Sequence, residues 1–138
     1  MTLYSPALKF QMVLKALKTK DNEVGAVAKA KRAADLSCMT SLADNFLPTV
    51  LESIACGTPV VGFAVRGISE QVTEGCGQLV ALGDTKALGH TIADLLTDDT
   101  KRKKMGELCR KRAEQEYNLQ LFIERYLALY RELVGGTR

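Results

Sequence analysis

The sequence predicts an α/β fold: a partial parallel sheet of about three strands in a three-layer arrangement, with extra helices at the amino terminus. Three observations carry this. Short apolar runs at 35–40, 59–63 and 78–82 alternate with stretches of helical pattern, and strand-loop-helix alternation implies parallel strands with right-handed crossovers and a binding edge at their carboxyl ends. Three helical segments then close the chain, the first and the last of them capped and amphipathic. Finally, 138 residues suit one domain that buries roughly 68% of the surface its unfolded form exposes, so the core needs no disulfide or metal staple.

In chain order, Ser5-Pro6 opens a first helix, with serine as cap and proline at the first helical position, where its missing N–H costs nothing. Phe10, Val13, Leu14 and Leu17 recur at the spacing of one buried helical face, with Lys9, Lys15 and Lys18 off that stripe. A turn at Lys20-Asp21-Asn22 leads to a second short helix over Glu23 to Ala34, alanine-rich with Val24 and Val27. A buried strand is expected over Asp35 to Thr40, a loop over Ser41 to Leu47, a helix over Pro48 to Cys56, and strands over Pro59 to Phe63 and Gln78 to Leu82. The closing helices are expected at Asp84 to Thr97, about Thr100 to Glu116, and Asn118 to Val134. Asp84 and Asn118 are suited to N-caps, because a short side-chain oxygen reaches the unpaired amides of the first turn. Leu88, Ile92, Leu95 and Leu96 share one face of the first of these helices, and Phe122, Tyr126, Leu129 and Leu133 one face of the last.

Composition narrows the functional classes. Apolar residues make up 46% and charged residues 25%, which is ordinary for a soluble globular chain. No apolar run approaches the roughly 20 residues that span a bilayer, and no secretory signal opens the chain; cytoplasmic residence is the default expectation. The four cysteines, Cys38, Cys56, Cys76 and Cys109, form no Cys-x-x-Cys pair and are expected as buried free thiols. His90 is the single histidine; expected on the surface of a helix, it gives a metal centre or a histidine-based triad little to build on. Charge is unevenly spread: residues 1–34 carry seven Lys or Arg against two acids, residues 35–138 twelve against fourteen. The two parts therefore look different in origin.

The stretch "DNFLPTVLESIACGTPVVGF", Asp44 to Phe63, holds the candidate chemistry. Asp44 falls in a loop after a strand, and Pro48 suits the first turn of the next helix. Unpaired amides around Leu47 to Leu51 would face the strand ends, where the positive end of the helix favours a phosphate or a sugar oxygen. Glu52 lies about one turn further in. A carboxylate accepts two hydroxyl hydrogen bonds, so Glu52 suits the 2′ and 3′ hydroxyls of a ribose and Asp44 a sugar ring. On spacing alone, the same pair also reads as a solvated loop acid plus a helix acid near a favourable dipole end.

Two resemblances add to this reading. Tyr4 to Lys31, "YSPALKFQMVLKALKTKDNEVGAVAKAK", looks like the opening of the helix-turn-helix subunit of insertion-sequence transposases, without its recognition helix; the alternative is two amphipathic helices packed on a neighbour. Nucleic acid is therefore not expected as a partner, with DNA binding through residues 1–34, or a self-associating module without a ligand, as the alternatives. From about Ala34 to the carboxyl terminus the chain resembles the donor-binding half of the retaining GT-B glycosyltransferases, whose fold is Rossmann-like and whose signature is Glu-x7-Glu. This divides the chain into a helical segment, 1–33, and a donor-binding domain, 34–138. The resemblance implies a nucleotide-sugar partner, UDP- or GDP-linked, and neither metal nor cofactor. It places Asp44 beside the transferred sugar as the catalytic acid, the backbone of Asn45, Phe46, Leu47, Pro48 and Thr49 against sugar and diphosphate, and Glu52 on the ribose. Gly57-Thr58-Pro59 matches the turn into the following strand, and Glu70 the acid ending the family's Gly-Gly-x-Pro-Glu.

The family pattern is not followed throughout. Asp44 is one methylene shorter than the usual glutamate. Arg66 and Gly67 stand where the family's glycine-rich loop approaches the ligand, so Arg66 would either crowd the site or add charge toward a diphosphate. The acceptor domain, the early strands and the Arg/Lys pair that neutralises the leaving diphosphate all precede the point where the resemblance begins, and the isolated chain is expected to be inactive. The strand at 35–40 would then have a bare outer edge, which invites self-association by strand pairing at Leu36 to Met39 or by exchange of the basic helices.

Overall fold

The computed structural model describes residues 24–73 and 75–135. Its elements run α1 (Val24–Ala33), β1 (Ser37–Met39), α2 (Pro48–Ala55), β2 (Val60–Phe63), α3 (Arg66–Gln71), β3 (Gly77–Val80), α4 (Thr85–Thr97), α5 (Asp99–Glu116) and α6 (Leu119–Gly135). The strands pair in the order β1-β2-β3, all parallel. Ser37, Cys38 and Met39 lie opposite Val60, Val61 and Gly62, which continue the register to Gly77, Gln78 and Leu79.

All four residues of β2 are buried, and a strand covered on both faces reads as an unbroken apolar run, as Val60 to Phe63 does. Val50 and Ile54 of α2, Ile68 of α3, Leu88 and Leu95 of α4, and Met105 and Cys109 of α5 complete the core around it. Removing each such aliphatic side chain from water is worth about 1.5–3 kcal/mol. Ser53, also fully buried, hydrogen-bonds to the Ser37 hydroxyl and to the Thr49 carbonyl, both at 2.8 Å, and so ties α2 to β1.

Where α5 crosses the end of α2, the two backbones nearly touch. A Cβ on Gly106 would stand 2.6 Å from the carbonyl oxygen of Gly57, which itself has φ +73°. Arg110 seals the crossing by donating to the Ala55 carbonyl at 2.7 Å. Asp84, Asp98 and Asn118 each accept a 2.9 Å hydrogen bond from an amide three residues on, capping α4, α5 and α6. Arg102 donates to the carbonyls of Leu95 and Leu96 at 2.6 Å, satisfying the open end of α4.

The elements agree with the expected alternation, with instructive differences. β1 and β3 are shorter than their apolar runs: β3 pairs with all four residues of β2 and β1 with three of them, and Leu82 lies past β3 and is exposed. α3 was not anticipated, since six residues with a glycine at the second position show no apolar period. Of the four cysteines expected inside, Cys76 and Cys109 are buried and Cys56 is half-buried, but Cys38 is exposed on the edge strand. His90 is exposed. The expected first helix, Ser5 onward, and its turn lie outside the described residues. The second is present as α1, but its Lys31 turns inward, with 15% of the side chain exposed. Thr58 Oγ1 donates to the Lys31 carbonyl at 2.7 Å, so α1 is joined to the same body as the sheet. No helix among the described residues is long and apolar enough to cross a membrane.

Candidate functional site

The loop from Thr40 to Leu47 leaves the carboxyl end of β1 and enters α2 at Pro48. Asp44 Oδ1 accepts a hydrogen bond from the Phe46 amide at 3.1 Å, which turns the chain back on itself. The Asp44 carbonyl in turn accepts from the Gly67 amide at 3.1 Å. A side chain at Gly67 has nowhere to go: its Cβ would lie 2.4 Å from the Asn45 carbonyl carbon and 2.6 Å from the Asp44 carbonyl oxygen. The first turn of α3 is thus laid directly against the loop that carries Asp44.

The second anchor is Gln71, only 2% exposed. Its Oε1 accepts from the Leu47 amide at 3.0 Å and its Nε2 donates to the Leu47 carbonyl at 3.1 Å. A single side-chain amide satisfies both polar groups of that residue and fixes the chain at the entry to α2. Sequence reasoning missed Gln71. The available signal was a polar residue next to Glu70 in a stretch otherwise flanked by Ile68 and Val72, both buried.

Glu52, in the second turn of α2, faces α1. Its Oε2 lies 2.6 Å from Lys31 Nζ, which also donates to the Thr49 carbonyl at 3.0 Å. The Glu52 side chain is 53% exposed. It borders a groove of about 460 Å³ between α1, α2 and α5, whose lining includes Val27, Ala28, Cys56 and Arg110.

The sequence-derived set is therefore only partly brought together. Asp44, Asn45, Phe46, Leu47, Pro48 and Thr49 form one continuous loop and helix start, with Gly67 packed behind it. Asp44 and Glu52 engage different partners, the loop amide and Lys31. Of the amides expected to stand open, that of Leu47 is taken by Gln71 and that of Val50 by the Leu47 carbonyl. That of Phe46 is taken by Asp44, and Pro48 has none. Arg66 neither crowds the loop nor reaches into it: its side chain is 91% exposed and lies 3.6 Å from Glu70.

Residues 14–112 match the family model described as "Glycosyl transferases group 1". The match takes in residues 14–33 as well as the sheet. The N-acetyl-alpha-D-glucosaminyl L-malate synthase of Bacillus anthracis is 29% identical over 113 residues, 81% of this chain and 30% of that protein. The D-inositol 3-phosphate glycosyltransferase of Kribbella flavida is 37% identical over 101 residues, 72% of this chain and 24% of that protein. The trehalose synthase of Pyrococcus horikoshii is 31% identical over 124 residues, 86% of this chain and 29% of that protein. The chain thus spans under a third of the length of these relatives.

Proposed function

Because the chain belongs to the glycosyl transferases group 1 family, we propose that it forms the donor-binding side of a retaining glycosyl-transfer site and holds a UDP- or GDP-linked sugar. The observation that supports the reading most is the loop at the carboxyl end of β1, which carries Asp44 and is pinned by Gln71 and Gly67. One Asp44 oxygen is engaged by the Phe46 amide; the other is left to accept a hydroxyl of the sugar. Glu52 takes the ribose diol.

For that, Glu52 must exchange Lys31 for the ribose. Lys31 is largely buried but the Glu52 carboxylate is half exposed, so the bond between them is worth about 1–3 kcal/mol, whereas two hydroxyls donating to one carboxylate make two charge-assisted hydrogen bonds. The released ammonium then lies beside a nucleotide's phosphates. Spanning under a third of its relatives' length, the chain on its own binds donor without transferring the sugar.

Calorimetric titration of the full chain with UDP and with GDP tests this. Saturable binding of one of them, abolished in Glu52→Ala, is the expected result. Silence with both nucleotides, in a chain that is folded by circular dichroism, removes the reading. It would favour the second one, a folded module without a ligand, which the occupied amides of Phe46, Leu47 and Val50 support.

A further inference from the structure

Two nucleophilic side chains that the donor site does not use meet inside the domain. Cys76 ends the turn that leads from α3 into β3, its amide donating to the Thr73 carbonyl at 3.0 Å, and Cys109 lies in the middle of α5. They are 3% and 0% exposed. The Cys109 thiol donates to the Cys76 carbonyl, and after burial the Cys76 thiol is the main influence raising the pKa of Cys109. Beside them the two backbones run at the separation that a disulfide spans. A Cβ on Gly75 would stand 4.0 Å from the Leu108 Cβ, and bridged cysteines hold their Cβ atoms about 3.5–4.5 Å apart. Cys76 and Cys109 are the next residue on each side.

Only one of the two thiols is reached from outside. Cys76 lines a cavity of about 320 Å³ whose other walls include Thr73, Leu108, Lys111 and Arg112, whereas Cys109 stands behind it. The mouth of that cavity is cationic. Lys111 is exposed there, and the Arg112 guanidinium, anchored on the Thr73 hydroxyl, has a buried Nε without a hydrogen-bond partner among the described residues. Glu116, the acid among the lining residues, is held by Arg125 at 3.0 Å. A reagent entering here is therefore selected for negative charge.

We propose that Cys76 and Cys109 form a dithiol site that exchanges with a low-molecular-weight anionic disulfide and closes into a bridge between the β3 turn and α5. Cys76, having lost its proton, attacks one sulfur of the reagent; the reagent's S–S bond breaks, one half departs as a thiol and the other stays on Cys76. Cys109 then displaces that half. The bond between the two cysteine sulfurs forms as the mixed disulfide breaks, and the two cysteine protons end on the two departing thiols. The cysteines lose two electrons and the reagent gains them. Burial resists the ionisation of Cys109 and the charge of Arg112 favours it; proximity offsets the rest, because a well-oriented intramolecular partner acts at an effective concentration of about 10⁵ M or more. The bridge joins residues 33 positions apart, a closure that restricts the unfolded chain. The reaction requires neither nucleotide nor acceptor.

Incubation of the full chain with dithiodipropionate, followed by peptide mapping without reductant, tests the proposal. The expected product has the Cys76 and Cys109 peptides joined, with two hydrogens lost and no reagent retained on either. In Cys109→Ala the reagent half should instead stay on Cys76. Cystamine, equally long but dicationic, should react at Cys76 about tenfold more slowly, once its rate is scaled to that at Cys38, which is exposed on β1. The bridged chain should unfold with an equilibrium constant about 30-fold smaller or less, and dithiothreitol should restore the original value. Cys76 and Cys109 left untouched while Cys38 is fully modified would overturn the site. Reagent retained on Cys76 in the unaltered chain would overturn the ring closure, and cystamine as fast as the dicarboxylate would overturn the anionic reagent. A bridged chain no more stable than the reduced one would show that the native geometry does not accommodate the bond, which overturns the proposal as well.

Discussion

α2 and α6 are both amphipathic, yet they end in opposite situations. Val50, Ser53 and Ile54 of α2 are buried with no exposed area, whereas the large apolar residues of α6 remain exposed apart from the half-buried Leu121. The difference does not lie in the helices themselves. α2 is enclosed between β2 and α5, with Gly57 and Gly106 allowing the close crossing; α6 follows the last packed element and buries none of its residues. Periodicity therefore encodes a face a helix is able to bury. Whether that face is buried depends on what stands opposite.

Paired truncations sharpen the contrast most. Ile54→Ala removes a side chain with 0% exposure and should cost about 2–5 kcal/mol. Phe122→Ala removes a larger side chain from α6, yet in the monomer it should change stability by less than about 0.5 kcal/mol. Urea unfolding midpoints at low protein concentration measure both. A comparable loss in the two variants would mean that α6 packs within its own chain, and the comparison would fail.

The next largest effect belongs to pH. Burial first, and then the neighbouring Cys76 thiol, push the Cys109 thiol up from 9.0 to about 12, and its Sγ lies 3.2 Å from the Cys76 carbonyl oxygen. A raised folded-state value means that the unfolded chain loses this proton first. Its contribution is therefore complete below about pH 9 and declines as pH rises toward 12. Each unit of difference is worth about 1.4 kcal/mol, so the loss should amount to at most a few kcal/mol by about pH 11. Cys109→Ala should flatten that decline, while variants in α6 leave it unchanged; chemical denaturation across this range would reveal a decline that persists in Cys109→Ala and so belongs to other groups.

These cases also explain how much was readable in advance. The unbroken run Val60 to Phe63, the Asp84 and Asn118 caps and the Leu88/Leu95 face were legible because each is a local pattern with a single physical solution. The loop of the candidate site was legible as a loop, but its anchors were not. Gln71 meets Leu47 across 24 positions of sequence, and no spacing rule records such a pair. Likewise the pairing of Lys31 with Glu52 depends on how α1 packs on α2, which turned a lysine toward a carboxylate expected to be open. Short elements failed for a different reason: the six residues of α3 are too few to display a period.

Gln71→Met carries the comparison into the site. The substitution keeps the volume but strips both hydrogen bonds from Leu47, and a buried amide left unsatisfied costs about 1–3 kcal/mol. Nucleotide affinity should fall along with stability, because the loop carrying Asp44 loses its fixed entry into α2. If stability is unaffected, the two hydrogen bonds of 3.0 and 3.1 Å do not position the loop.

The smallest effect is expected at Lys31, where its sign is the informative part. Lys31→Met keeps the aliphatic stem against α2 and removes the ammonium from Glu52 Oε2 and the Thr49 carbonyl. Glu52 is half exposed and is rehydrated once the ammonium is gone, although Lys31 itself is only 15% exposed, so the loss should be about 1 kcal/mol and the unfolding midpoint should move little. A freed Glu52 carboxylate, no longer having to exchange one partner for another, should bind the ribose more tightly at low nucleotide charge. Uridine, which carries the diol without phosphates, should therefore gain affinity in Lys31→Met. UDP should gain less or lose, because the same ammonium also favours its diphosphate. Titrating both ligands against both proteins separates the two roles, and equal changes for uridine and UDP would show that Lys31 does nothing for the phosphates.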